Sequence, residues 1–478
     1  MGIFDKRIAF KPFEYPEVDG FRDAINHSYW LVSEWNFIGD IQDFNTKLTP
    51  EEKNIVKNTL LAISQIEVSV KRFWAKIGER FPKAEIEQVG LTFGESECYD
   101  EQTEILTNQG WKYFNDLNIN DKVAQYDIQT GEITFTHTLS GIKRPYKGEL
   151  HLYEGENTSI AVTPNHEMIV RRESESFRKI LSKEISLEKL TFYPKSGKFS
   201  QNDTILNMLL PDSEDGQFKS KTIINYDGYV YCVTVPSGNI VTRRFGNIAI
   251  CGNCRHENAY SKLLEVLSLN ADFEKLLEIP AIQGRVDYLT KYLTPGKSNK
   301  EYMLTLTLFS IFIENISLFS QFLIIKSFNK EKNVLKDIDN VVQATQQEEQ
   351  THALFGVWLV KQVKKEHPDW FDDEFYSKLY AAAEKSYTAE SKIIDWIFEQ
   401  GEPSFISKDI VKEFIKERFN ESLKMVGGKK LFTVDKSLTA KVKWFTDELH
   451  GQVSTDFFYK KPVTYSKFTQ PITEKDLF

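Results

Sequence analysis

Phe93-Gly94-Glu95-Ser96-Glu97 and Cys254-Arg255-His256-Glu257-Asn258-Ala259-Tyr260 read as two halves of one helix, separated by residues 98–253. If Glu97 is joined to Cys254, then Phe93, Glu97, His256, Tyr260, Leu263 and Leu267 fall at alternating spacings of four and three, which is a single helical face. As written, that face stops after Glu97, because Cys98-Tyr99-Asp100-Glu101 opens a polar, turn-rich stretch. The seam predicts a mainly α protein, built from residues 1–97 and 254–478, with a separate unit inserted at 98–253.

The inserted unit has a different period. Short strand-like runs at 103–107, 122–127, 132–139, 149–155, 158–162, 167–172, 229–235 and 247–252 alternate with turn signals such as Gln129-Thr130-Gly131 and Pro236-Ser237-Gly238-Asn239. An all-β fold is expected there. The flanks are helical. Thr49-Pro50-Glu51-Glu52 supplies an N-cap, a proline at the first helical position and a capping-box glutamate, so a long helix should follow. From Tyr459 onward the chain is polar, holds two prolines and shows no helical stripe, which predicts a mobile tail from about 460.

With 478 residues, more than one folding unit is expected. Hydrophobic residues at 41% and charged residues at 27% describe a soluble globular chain, and a net charge of −9 speaks against a nucleic-acid-binding surface. The first residues, MGIFDKRIAF, hold no apolar signal core, and Lys6 stands where a myristoylation signal takes Ser or Thr. A cytoplasmic location is expected. The apolar run 302–325 is long enough to cross a bilayer, but Glu314 sits near its centre, so a buried core helix is the better reading and no membrane partner is expected. All four cysteines, Cys98, Cys232, Cys251 and Cys254, lie within or beside the insert, which points to local chemistry rather than a disulfide framework.

Carboxylates occur where helical stripes call for apolar residues. Leu60, Ile63, Glu67, Val70 and Trp74 share one face, so Glu67 should point inward, where a charge is either paired with Arg or Lys or bound to a metal. Glu349-Gln350-Thr351-His352 is a Glu-x-x-His on one helix, and Glu97 with His256 makes a second once the seam is closed. Residues three apart on a helix can hold one cation between them. Glu348 competes with Glu349, but Glu349 keeps the stripe of Val342, Thr345, His352 and Leu359. With Glu67 and Glu314 the set becomes four carboxylates and two imidazoles, oxygen-rich ligation suited to iron or manganese. A hydrogen-bonded polar core without metal is the bland alternative.

This set matches the di-iron carboxylate bundles, in which one Glu from each of two helices joins a Glu-x-x-His from each of two others. With the insert removed, the chain resembles the small, radical-generating subunit of class I ribonucleotide reductase, a ferritin-like dimetal fold. The resemblance implies that Glu67, Glu97, His256, Glu314, Glu349 and His352 hold two iron or manganese ions. Tyr260 matches the tyrosine oxidised to a radical when the reduced centre meets oxygen. Radical transfer would use Trp35, with Trp30 as alternative, then Glu348 and a tail tyrosine, Tyr465 or Tyr459. The implied partners are a second copy of the chain and a large subunit engaged by the C-terminal tail.

The insert resembles a minimal intein of the Hint type. Cys98 stands at its first position, Thr163-Pro164-Asn165-His166 matches the TxxH motif, Cys232 falls where an Asp or Cys is found near the C-terminal end, and Asn253-Cys254 matches the downstream junction. Gly252 replaces the usual penultimate histidine. The resemblance implies self-excision through Cys98, Thr163, His166, Cys232, Asn253 and Cys254, with His137 and His151 as surface or strand residues. Two rivals remain: a ferritin-like dimetal oxidase or desaturase carrying an intein, and a non-splicing autoprocessing unit fused to a structural bundle.

Overall fold

The structure is a computed structural model that describes residues 2–456 apart from 7–11, 28–29, 31–34, 75, 94–97, 119, 139, 201, 211–213, 253–259, 261–262, 265, 268, 270–275 and 294–297. Before the insert run α1 (Asp19–His27), α2 (Ile38–Thr46), α3 (Pro50–Trp74) and α4 (Ala84–Phe93). After it come α5 (Pro280–Leu293), α6 (Asn299–Leu308), a π-helical stretch (Phe309–Ser317) and α7 (Leu318–Lys332). They are followed by α8 (Lys336–Glu366), α9 (Asp373–Ile397), α10 (Lys408–Met425) and α11 (Lys443–Asp456).

Helix starts follow the caps in the sequence. Glu52 N donates to Thr49 Oγ1 at 3.3 Å while Thr49 N donates to Glu52 Oε2 at 2.9 Å, and Pro50 opens α3 as expected. Ser298 and Glu301 repeat the reciprocal cap at α6, and Asp372 and Ser407 cap α9 and α10. The apolar run packs against α3, α8 and α10, and 94% of its most apolar window is buried inside the protein. Arg285 of α5 and Glu390 of α9 form an ion pair in this interior, Nη2 to Oε2 2.8 Å, with a further bond from Arg285 Nη1 to the Ala62 carbonyl at 3.0 Å.

The insert forms a closed barrel of β1 (Tyr99–Asp100), β6 (Ser140–Gly155), β7 (Thr158–Val162) and β12 (Ser220–Thr234). A second sheet runs β3-β2-β4-β13-β14-β8-β9, with β5 on β4; these are Gly110–Tyr113, Thr103–Thr107, Lys122–Tyr126, Asn239–Arg244, Asn247–Gly252, Glu167–Val170, Arg178–Leu181 and Ile133–His137, while β10 (Phe192–Tyr193) pairs with β11 (Gly216–Gln217). Runs 103–107, 158–162 and 247–252 form strands with the bounds read from sequence. The insert is not purely β: Thr204–Leu209 is a short helix capped by the Asp203 carboxylate. Strands β6 and β12 extend well beyond their apolar runs, pairing from Ser220↔Glu154 to Thr234↔Ser140. Backbone pairing holds that ribbon where Ile223 and Tyr229 face water, so hydrophobic alternation does not mark its length.

The apolar cores divide at the seam. Residues from Ile3 to Phe93 and from Tyr260 to Leu449 share one core, whereas those from Cys98 to Cys251 make up two others.

Candidate metal centre and splice junction

Glu314, Glu349 and His352 converge in the helical core, each offering a ligand atom within 4.8 Å of the others. All three are buried. Helix α8 sets Glu349 and His352 one turn apart, and His352 Nδ1 lies 3.0 Å from Glu349 Oε2 and 3.9 Å from Glu314 Oε1. Glu314 comes from the π-helical stretch, whose wider turns shift the side-chain register away from that of an α-helix. Neighbours pin this stretch from both sides. Arg418 Nε donates to the Asn315 carbonyl at 2.6 Å, and Ser317 Oγ donates to Glu390 Oε1 at 2.9 Å. Burial pushes the Arg418 guanidinium down to about 10.

Aromatic rings close the site. Trp74 Nε1 donates to Glu314 Oε1 at 2.5 Å, and its ring packs against Phe309 and Phe355. Phe93, from the seam face, lies 4.3 Å from the His352 ring, centroid to centroid. Gly356, one turn beyond His352, makes room: a Cβ there would collide with the Ser310 side chain and stand 3.1 Å from Trp74 Cη2. Tyr260 is buried, and its hydroxyl donates to Thr345 Oγ1 at 3.2 Å; Thr345 Oγ1 in turn donates to the Val341 carbonyl at 3.0 Å. Thr345 sits one turn before Glu349, so α8 carries Glu349, His352 and the hydroxyl that accepts from the Tyr260 phenol.

The donor set fits a cation. Two carboxylates and one imidazole share a buried interior, where carboxylates must be paired or bound to a cation. Glu67 lies on α3, on the same helix as Trp74, though its side chain is outside the described residues. Glu97 and His256 lie outside them as well, as do Tyr459 and Tyr465. Trp30 and Trp35 lie against each other with ring centroids 5.2 Å apart and planes tilted by 57°, and Glu348 is buried on α8. Two residues escaped the sequence reading: Trp74, whose buried indole N–H had to find an acceptor, and Thr345, which looked like one more stripe position.

In the insert, a turn brings the sequence-predicted residues together. Cys98 N donates to Thr163 Oγ1 at 3.2 Å, Thr163 N to the Cys98 carbonyl at 3.0 Å, and His166 N to the Thr163 carbonyl at 3.0 Å. Tyr99 pairs with Tyr231, the residue after Cys98 with the residue before Cys232. The Tyr99 ring meets the His166 ring edge-on at 4.5 Å, and Tyr99 Oη donates to the Gly252 carbonyl at 3.1 Å. Cys98, His166, Cys232 and Cys251 are all buried. Asn253 and Cys254 lie outside the described residues. His137 is an exposed strand residue, but His151 is buried in β6, its Nδ1 2.8 Å from Ser182 Oγ.

Likenesses to known proteins bear on both parts of the chain. A ribonucleoside-diphosphate reductase subunit beta of Aquifex aeolicus is 29% identical over 158 residues, 32% of this chain and 23% of that protein, so the chain spans about a quarter of that relative's length. The ribonucleotide reductase R2 subunit of Clostridium botulinum shares the fold, with TM-score 0.52 and 11% identity over 91% of this chain and 89% of that one. A splice-inactive variant of a class 3 split intein aligns along 99% of its own length and 33% of this chain, at TM-score 0.27 and 21% identity. The family described as "Ribonucleotide reductase, small chain" matches residues 7–103 and 239–439, more than half of the chain, and its gap falls inside the β insert. A family match that stops and resumes around the insert, on a helical fold with a buried carboxylate–imidazole cluster, places this chain in the ribonucleotide reductase small-chain family.

Proposed function

We propose that the chain is the precursor of a radical-generating small subunit of ribonucleoside-diphosphate reductase, and that residues 98–253 remove themselves by protein splicing. The observation that carries the first half is the Glu314–Glu349–His352 cluster, with Tyr260 bonded to the helix that bears two of its members. Glu67, Glu97 and His256 complete the ligand set. Two iron or manganese ions held there would supply, with oxygen, the one-electron oxidation of a tyrosine. Tyr260 is the tyrosine: the core excludes water from its ring, and Thr345 receives its hydroxyl proton in a hydrogen bond. Trp35 or Trp30, Glu348 and Tyr465 or Tyr459 would pass the oxidising equivalent to a large subunit, where ribonucleotides are reduced. The tail would dock that partner, and the small subunit would act as a homodimer.

The second half rests on the grouping of Cys98, Thr163, His166 and Cys232 around the upstream junction. The Cys98 thiol attacks the Glu97 carbonyl, the Glu97–Cys98 amide breaks, and a thioester forms. Thr163 Oγ1 accepts from Cys98 N, and so favours the positive charge that nitrogen gains when His166 delivers its proton. The Cys254 thiol takes over the acyl group. Asn253 cyclises through its side-chain nitrogen, the Cys254 nitrogen leaves as an amine, and that amine takes the acyl group from its own sulfur to give a Glu97–Cys254 amide. Mass measurement of the purified product tests this half: a ligated chain accompanied by a free insert is expected. Metal analysis and an electron paramagnetic resonance spectrum of the ligated chain test the first half.

A further inference from the structure

The splicing chemistry needs the downstream junction held as firmly as the upstream one, yet the residue before Asn253 is Gly252, which offers no side chain to hold it. Glycine is also the residue whose backbone is least restrained by its own sterics. The structure supplies a restraint from elsewhere. Tyr99 Oη donates to the Gly252 carbonyl at 3.1 Å, inside the protein and across 153 positions of sequence. Tyr99 is the residue after the nucleophile Cys98, and strand β1 fixes its backbone between Tyr231 of β12 and Val162 of β7. Its ring is wedged between Phe114, stacked at 5.6 Å, and the edge-on His166 at 4.5 Å. One side chain therefore touches the general acid of the first step and the peptide group that leads into the residue of the last.

We infer that Tyr99 is a positioning residue for splicing: its hydroxyl locks the Gly252–Asn253 peptide for Asn253 cyclisation, the task for which this chain lacks a penultimate histidine. The inference rests on the splicing reading. The Gly252 carbonyl belongs to the amide whose nitrogen is Asn253 N, so fixing it limits rotation of the backbone from which the Asn253 side chain must reach its own carbonyl carbon. Attack there forms the ring C–N bond, breaks the Asn253–Cys254 amide and passes a proton to the departing Cys254 nitrogen. Tyr99 gives up no proton in this step. It holds geometry, as a buried hydrogen bond from a ring that is itself held can do.

Tyr99→Phe isolates the role, because it removes the hydroxyl and leaves the ring against His166 and Phe114. Full-length wild type and variant are synthesised in a pulse-labelled cell-free system, and precursor, branched intermediate, free insert and ligated chain are followed by mass. Thioester formation is read separately by cleavage with hydroxylamine. Asn253 cyclisation is expected to slow about tenfold more than thioester formation, roughly the worth of one buried hydrogen bond, so that the branched intermediate accumulates. Tyr99→Ala, which also strips the ring from His166, should slow both steps. Equal slowing of both steps by Tyr99→Phe, or wild-type kinetics throughout, would overturn the positioning role. A wild-type chain that yields no ligated product would instead overturn the splicing reading, and this role with it.

Discussion

Trp74 Nε1 and Glu314 Oε1 stand 2.5 Å apart in the core, a hydrogen bond between a buried indole and a carboxylate that faces His352. The bond leaves the second carboxylate oxygen for other work and holds the side chain to one rotamer. Without a cation, the Trp74 hydrogen bond helps to offset the desolvation of Glu314. Trp74→Phe should therefore destabilise the metal-free protein by about 1.5–3 kcal/mol, the range for a hydrogen bond to a charged group. With metal bound, the ion takes over much of that compensation and the loss should shrink. Denaturant unfolding of the ligated protein, with a chelator and with manganese, checks this; equal losses in the two states would count against it.

Gly356 gives a steric test of the same site. Its missing Cβ is filled by Ser310 and approached by Trp74, so Gly356→Ala forces either the π-helical stretch or the indole to move. Overpacking of this kind costs about 1–3 kcal/mol. Because Ser310 lies one turn before Glu314, metal content should fall together with stability. A variant that is less stable but keeps full metal content would show that the strain relaxes away from the ligands.

These two contacts mark how far the sequence could be read. Glu314, Glu349 and His352 were legible because a charge on an apolar stripe has few explanations, and the insert because splitting Glu97 from His256 breaks a helical phase. Strands 103–107, 158–162 and 247–252 were legible from β-branched runs between turn signals. The π-helical stretch was not: its residues are as apolar as the α-helical turns on either side, and the register shift depends on contacts from Arg418, Glu390 and Gly356, far away in sequence. The Tyr99 bond to Gly252 was hidden for the same reason, since a hydroxyl's acceptor depends on tertiary packing. His151, read as a surface or strand residue, is a strand residue that turns inward to Ser182.

Asp40 predicts a pH dependence. Its carboxylate accepts Ile338 N–H at 2.6 Å, capping the first turn of α8, while burial pushes its pKa from the ordinary 3.8 up to about 6. Hydrogen bonds from the Ile338 and Asp337 backbone N–H groups oppose that rise, while the Asp337 and Asp43 charges add to it. The folded state then keeps a proton that the unfolded chain has lost, so this group's contribution to stability falls as pH rises from about 4 to about 6 and is level above that. Asp40→Asn keeps a capping oxygen and removes the titration. Relative to wild type, the variant should gain about 1–2 kcal/mol across this window, a shift of about two units discounted for partial solvation. Parallel stability curves for the two proteins between pH 4 and 7 would rule the assignment out.

Tyr260→Phe removes one oxygen from a ring that the core holds in place. Its hydroxyl donates to Thr345 Oγ1, and the substitution removes none of the six proposed ligands, so metal content should stay within error of wild type. The tyrosyl signal in the electron paramagnetic resonance spectrum should disappear, and reductase activity with a large subunit should fall by orders of magnitude. A tyrosyl signal that survives would place the radical on another residue.

The unspliced chain should be unable to generate the radical. Glu97 and His256 can share a metal site only one helical turn apart, about 5 Å. In the precursor Glu97 is bonded to Cys98, and Tyr99, two residues beyond Glu97, is already in strand β1. No continuous helix can then run from Phe93 through Glu97 to His256 and Tyr260, so the two ligands have no shared backbone register. The Glu97–Cys254 bond that would carry one helix through both residues does not exist before splicing, and a site loosened by about an ångström is expected to lose function. Cys98→Ala with Asn253→Ala should trap this form, because one substitution removes the first nucleophile and the other the cyclising amide. The trapped precursor and the ligated chain are each loaded with iron or manganese under oxygen, and bound metal and radical are measured. The ligated chain should hold two ions and carry the tyrosyl signal, while the precursor should be deficient in both. A precursor with two ions per chain and a full tyrosyl signal would mean that Glu97 and His256 reach the site without the closed helix, and that splicing is not the step that completes the enzyme.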